Sequence, residues 1–260
     1  MIISLPRRPL ASLAWILPLF SWLGIASAVD LDRSAVPIVG CPEDGQTGPM
    51  KAQVGQSMPV PLDQNVAAQI AFYSAADSPG IFGPRGWHCQ GWSGLNGSLL
   101  LVTPQRIPPP YFPLPVVTGP AVMIRTTDAE TSGRFHVAIV ASRLFSVVGG
   151  EFIARVRQEH LISESSFDVE PYSDDQLQYL SDRFVRYMTP ANHNGLGTED
   201  LFEVSNLPVR GLTILNLETE TNSLTEVRVR LPAGLNSGAE AIVQLETACL
   251  QRQRGCRGLK

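Results

Sequence analysis

Four cysteines, Cys41, Cys89, Cys249 and Cys256, constrain this chain of 260 residues more than any other feature. An even number in an exported chain reads as two disulfides, for which three pairings exist. Cys249 and Cys256 enclose a short loop that closes at small entropic cost, which leaves Cys41 for Cys89. Metal binding is the weaker reading, because no Cys-x-x-Cys or His-x-x-x-His spacing occurs. No metal and no other cofactor is expected.

Export itself is read from the N-terminus. Arg7 and Arg8 precede an apolar run over 10–24, and Ala26-Ser27-Ala28 supplies the small-x-small pattern that signal peptidase recognises. Pro18 breaks the run, which falls at the short end of the ~20 residues a membrane span needs. Residues 1–28 are therefore a signal peptide, and the mature chain, with no membrane span, is periplasmic or secreted. Its loss removes two arginines and no acid, taking the formal net charge from -4 to -6. Such a surface repels nucleic acid, which is excluded as a partner.

Beyond the signal, residues 29–62 scatter prolines and glycines without a period and read as an extended arm. Residues 63–260 read as one domain. Asp63 is placed to cap a helix through Val66, Ile70 and Tyr73, and 98–103 forms a strand behind a turn at 94–97. Seven prolines crowd 104–120, a strap of extended backbone. A strand over 121–127 leads to a helix with Val137, Val140, Leu144 and Val148 on one face. A second helix carries Phe152, Val156 and His160.

The stretch 173–190 fits either a helix behind Ser173 and Gln176 or two strands; the strand alternation is the reading adopted. Thr213, Leu215 and Leu217 alternate with their neighbours, and Val227, Val229 and Leu231 alternate against Glu226, Arg228 and Arg230 on a wet face, the pattern of a half-buried antiparallel hairpin. Ser237 and Glu240 cap a closing helix, followed by a basic tail. The fold class expected is α+β, with a mainly antiparallel sheet and three to four packed helices.

Chemistry concentrates in two places. The stretch 83–97 holds Arg85, Trp87, His88, Cys89, Trp92 and five glycines. In a strand, His88 and Cys89 point to opposite faces, so Trp87 packs beside the disulfide and His88 looks outward. Ser93 sits in a Gly-x-Ser-x pattern that ends on Leu95, where a nucleophile elbow has glycine. The second place is a loop carrying Asn192, His193 and Asn194. A binding or envelope-associated module without catalysis is the leading reading. Its ligand surface is Arg85, Trp87, His88 and Trp92, joined by Asn192 and His193 if the two segments converge. A sugar or peptide suits such a surface. The competing reading is a hydrolase with His88 or His193 as general base and Ser93 or a water as nucleophile. A redox-active Cys41/Cys89 pair is a third.

Several segments together resemble a group of exported proteins of Gram-negative bacteria to which no activity is assigned. They are the signal peptide, 41–46 from Cys41 to Gln46, Ala71-Phe72-Tyr73 followed by 83–89, Val102-Thr103-Pro104, and Ser181-Asp182-Arg183 leading to 187–192 and 195–198. The resemblance spans most of the mature chain. It implies the compartment and a single domain, and transfers no activity.

Overall fold

Ile70 to Ser74 shows why this chain folds as it does. All five side chains are buried, which a helix at that position would achieve on one face only, whereas a strand in the middle of a covered sheet buries both faces. The structure, a computed structural model, describes residues 34–45, 48–50, 57–108, 113–167, 169–217, 222–252 and 256. The expected signal peptide and most of the basic tail lie outside the described residues.

The chain runs through β1 (Ser34–Gly40), β2 (Glu43–Gly45), β3 (Gly48–Met50), β4 (Ser57–Val60), the single-turn α1 (Gln64–Ala67), β5 (Ile70–Ser74) and β6 (Ile81–Pro84). It continues through β7 (His88–Gly94), β8 (Gly97–Thr103), β9 (Ala121–Asp128), α2 (Arg134–Leu144) and α3 (Gly150–Arg157). The last elements are β10 (Gln176–Ser181), β11 (Phe184–Thr189), β12 (Val209–Asn216), β13 (Ser223–Arg230) and α4 (Asn236–Gln251).

These strands build two mixed sheets. The smaller has the order β4-β1-β5-β6, with β1 parallel to β5. The larger has nine strands in the order β10-β11-β12-β13-β9-β8-β7-β2-β3, antiparallel except where β2 runs parallel to β7. The molecule is thus mostly β, and the expected α+β class with a mainly antiparallel sheet and three to four packed helices is overturned. Two misread segments account for the difference. Asp63 does cap α1, accepting a hydrogen bond from the Asn65 N–H at 2.8 Å, but the helix ends at Ala67 and Ile70 and Tyr73 belong to β5. The supposed arm supplies β1 to β4, strands in both sheets.

The hairpins read from alternation are present as β10–β11 and β12–β13. α3 stops at Arg157, so His160 lies beyond it, exposed, at φ 53°. α4 begins at Asn236 with no side-chain cap.

One face of the large sheet packs Leu100, Val102, Val122 and Val227 against Phe72 and Tyr73 of the small sheet and Ile242 and Val243 of α4. The opposite face carries two further apolar clusters. Under α2 and α3 lie Val185, Tyr187, Leu215 and Leu224. At the other end, Trp92, Leu99, Leu101 and Met123 are covered by Ile107, Leu114 and Val117 of the proline-rich strap and by Leu201 and Phe202. Both disulfides form, Cys41–Cys89 with 5.4 Å between Cα atoms and Cys249–Cys256 with 4.7 Å. No described helix is long and apolar enough to cross a membrane.

Candidate functional site

Side chains opposite one another on adjacent antiparallel strands share a face, so register places the site. Trp92 of β7 stands opposite Leu99 of β8, Leu99 opposite Arg125 of β9, and Arg125 opposite Glu226 of β13. The row runs from apolar to charged across four strands. It opens onto a cleft of about 780 Å³ at the tip of the β7–β8 hairpin, within the range that holds small ligands. Leu114 and Leu201 join Trp92 and Leu99 on the apolar side, while Arg125 and Asp200 form the charged side.

The hairpin tip fixes the mouth. Gly97 sits at φ 122°, and a Cβ there would fall 1.9 Å from the Thr126 carbonyl oxygen, so only glycine fits. Asn96 holds the tip to the segment before α2: its carbonyl accepts the Asp128 N–H at 2.9 Å and its side-chain oxygen accepts the Ser132 hydroxyl at 2.8 Å.

Behind the cleft lies a charged network. Arg125 Nη1 donates to Asp200 Oδ2 at 3.1 Å; the side chains are 31% and 39% exposed, so the pair adds no more than about 1 kcal/mol. Arg228 Nη2 lies 3.8 Å from the same oxygen and 3.1 Å from Glu226 Oε1. His136, projecting from the first turn of α2, brings Nε2 to 2.9 Å from Glu226 Oε2. Burial alone would push the Glu226 carboxyl up, but the hydrogen bond and charge of His136, with Arg228 and Arg125, hold it well below the usual carboxylate range.

Two arginines of β13 also pin the loop between β11 and β12. Arg228 Nη1 donates to the Glu199 carbonyl, and Arg230 donates to the carbonyls of Val117, at 3.1 Å, and Glu203. Both guanidiniums lie over the Phe202 ring, Arg230 at 4.8 Å from its centre. Asp200, on that loop, is held at φ 53°, a region that non-glycine residues seldom occupy.

The ligand atoms of His136, Asp200 and Glu226 lie within 4.8 Å of one another, a donor set that suits a divalent cation. Guanidiniums already neutralise both carboxylates, however, which works against a second cation there. The other such group, Glu246 with Cys249 and Cys256, offers no thiolate because the cysteines form a disulfide.

The residues expected to form the site are scattered. Trp92 lines the cleft but is 3% exposed and serves as its floor. Arg85 caps carbonyls, donating to Ala67 at 3.3 Å and Ile70 at 3.4 Å. Trp87 is half-buried against the core that contains Cys41, and His88 is exposed, as strand alternation requires. His88 and Ser93 are five positions apart on β7, roughly 16 Å along the strand on opposite faces, beyond proton-transfer reach. Cys89, in its disulfide, offers no thiolate. Asn192 turns the chain at φ 64°, and His193 meets Asp174 at 3.1 Å in solvent. Both follow β11, which four intervening strands separate from β7 across the sheet. Their loop does reach the cleft, through Asp200 and Leu201.

Sequence reasoning missed His136, Glu226, Arg228 and Arg230. Alternation on β13 pointed to one wet face, yet Glu226, Arg228 and Arg230 are 4%, 1% and 0% exposed because the large sheet is covered on both sides. The available signal was the type of residue: three long charged side chains in register on one strand need partners when buried. No protein-family model, curated protein or solved structure matches the chain.

Proposed function

We propose that this is an exported, disulfide-bonded binding protein whose ligand occupies the cleft at the β7–β8 tip. The observation that carries the reading is the cleft itself, with a leucine wall facing the Arg125–Asp200 pair. An apolar wall facing a few polar groups is the usual composition of a small-ligand site. Two disulfides, the N-terminal apolar segment with its cleavage pattern, and the resemblance to exported proteins of Gram-negative bacteria support the compartment. A short peptide or a sugar fits the volume. With Trp92 buried as the floor, aromatic stacking gives way to leucine contact, which favours a ligand with an apolar body and a polar end.

Thermal unfolding of the purified protein against a panel of short peptides and sugars tests this. A ligand at 100 times its dissociation constant stabilises by about 2.7 kcal/mol. The stabilisation is expected to vanish in Arg125→Ala and persist in His193→Ala. The reverse pattern would place the ligand at the other loop.

A further inference from the structure

We infer that the cleft takes a carboxylate: an amphipathic monocarboxylate whose acid group pairs with Arg125 in place of Asp200 and whose apolar body lies along Leu114 and Leu201. The inference rests on the cleft being the ligand site and names the chemistry of what fills it.

The first observation is how loosely Arg125 is engaged. One nitrogen meets one oxygen of Asp200, and both side chains are about a third exposed. Guanidinium and carboxylate bind best as two parallel hydrogen bonds. A ligand carboxylate that approaches the planar fork from the cleft gains that second bond, and the exposed pair it replaces contributes little.

Charge is the second. Around Asp200, the cations Arg125 and Arg228 face the anions Asp200 and Glu226, and Arg230, two positions beyond Arg228 on β13, adds a third cation behind them. Arg143 and Glu199 pair with each other and cancel. One positive charge is in surplus before the His136 imidazole beside Glu226 is counted, and Arg230 carries it. It is 0% exposed, its terminal nitrogens donate to carbonyls, and its Nε lacks a hydrogen-bond partner. Burial and the neighbouring Arg228 bring its pKa down to about 10. A buried surplus of this kind favours an incoming anion over a cation or a neutral ligand.

Third, the exchange leaves Asp200 with a partner. Its Oδ2 already lies 3.8 Å from Arg228 Nη2, so a carboxylate displaced from Arg125 stays beside a guanidinium. The loop bearing Asp200 remains held by Arg228 and Arg230 through its carbonyls while the side chain moves.

Two sources present this chemistry, a free aliphatic acid and the C-terminus of a peptide. Isothermal titration of the purified protein with hexanoate, hexanol, hexylamine, N-acetyl-Ala-Leu and N-acetyl-Ala-Leu-amide separates them. Hexanoate or N-acetyl-Ala-Leu is expected to bind at least tenfold more tightly than its uncharged counterpart, and hexylamine not at all. The acid that binds better identifies the source. Arg125→Gln is expected to lose at least tenfold in affinity for the acid. Asp200→Asn removes the competing carboxylate and is expected to bind several-fold more tightly, a gain that a misfolded variant cannot show. Equal affinity for acid and uncharged probes would overturn the carboxylate and leave the cleft as a ligand site. Failure of every probe, here and in the wider panel of peptides and sugars, would remove the cleft reading as well.

Discussion

Glu246 shows how far burial alone can move one residue. Its side chain, on α4, is 1% exposed, and Oε1 accepts the Phe82 N–H of β6 at 2.8 Å. Burial pushes the carboxyl up from 4.5 to about 8, the Phe82 hydrogen bond opposing only in part. Between these values the native protein holds a proton that the unfolded chain has released, so native stability falls as pH rises through the window. At about 1.4 kcal/mol per pKa unit the loss from pH 4.5 to 8 is on the order of 4 kcal/mol. Glu246→Gln keeps an acceptor for Phe82 and cannot ionise. Urea denaturation at pH 5 and pH 8.5 is expected to show a smaller stability loss in the variant than in the unaltered protein. Parallel pH profiles would mean that Glu246 is not the titrating group. Neither Glu246 nor the His136–Glu226 pair was legible in the sequence, for the same reason: a carboxylate on an amphipathic element reads as its wet face, and only tertiary structure shows that both faces are covered.

Among the elements, those defined by local contacts were legible. β10–β11 and β12–β13 follow from alternation, and the β7–β8 hairpin from its glycines and apolar run. β5 was not, because Val66, Ile70 and Tyr73 recur at helical spacing while Ile70 to Ser74 occupies the interior of a sheet. Short apolar runs do not distinguish the two periods. The hairpin matters for function because its tip forms the cleft mouth. Gly97 is the element's most exacting position, with positive φ and the Thr126 carbonyl where a Cβ would be. Gly97→Ala is expected to destabilise by about 2 kcal/mol or more, since strain and clash act together. It should also weaken ligand binding at temperatures where the fold persists. Thermal melts and titration of the variant check both effects; unchanged affinity in a destabilised protein would mean that the tip shapes the fold without shaping the cleft.

At the scale of the whole molecule, the two disulfides constrain very different lengths of chain. Cys41, in the connection between β1 and β2, joins Cys89 on β7 across 48 residues of sequence. β1 belongs to the small sheet and β7 to the large one, so this bridge fastens the two sheets together. Cys249 and Cys256 are separated by 7 positions and close the end of α4 on itself. This pairing was legible because loop closure favours the short loop. The stacking of two sheets was not, since it depends on parallel pairings of β1 with β5 and β2 with β7 that no local pattern announces. Chain entropy then ranks the bridges. Closing the longer loop restricts the unfolded chain by about 4 kcal/mol and the shorter by about 2.5 kcal/mol. Urea denaturation of Cys41→Ser/Cys89→Ser is therefore expected to show the larger loss, together with exposure of Phe72 and Tyr73, whose side chains pack between the sheets. Cys249→Ser/Cys256→Ser should lose the smaller amount, about 2.5 kcal/mol, and keep an intact cleft, because α4 still buries Ile242, Val243 and Leu245 without the bridge. Equal losses, or a greater loss from the short loop, would mean that native contacts of the C-terminal bridge outweigh the entropy of the unfolded chain, and that the fastening of the two sheets lies in their apolar interface.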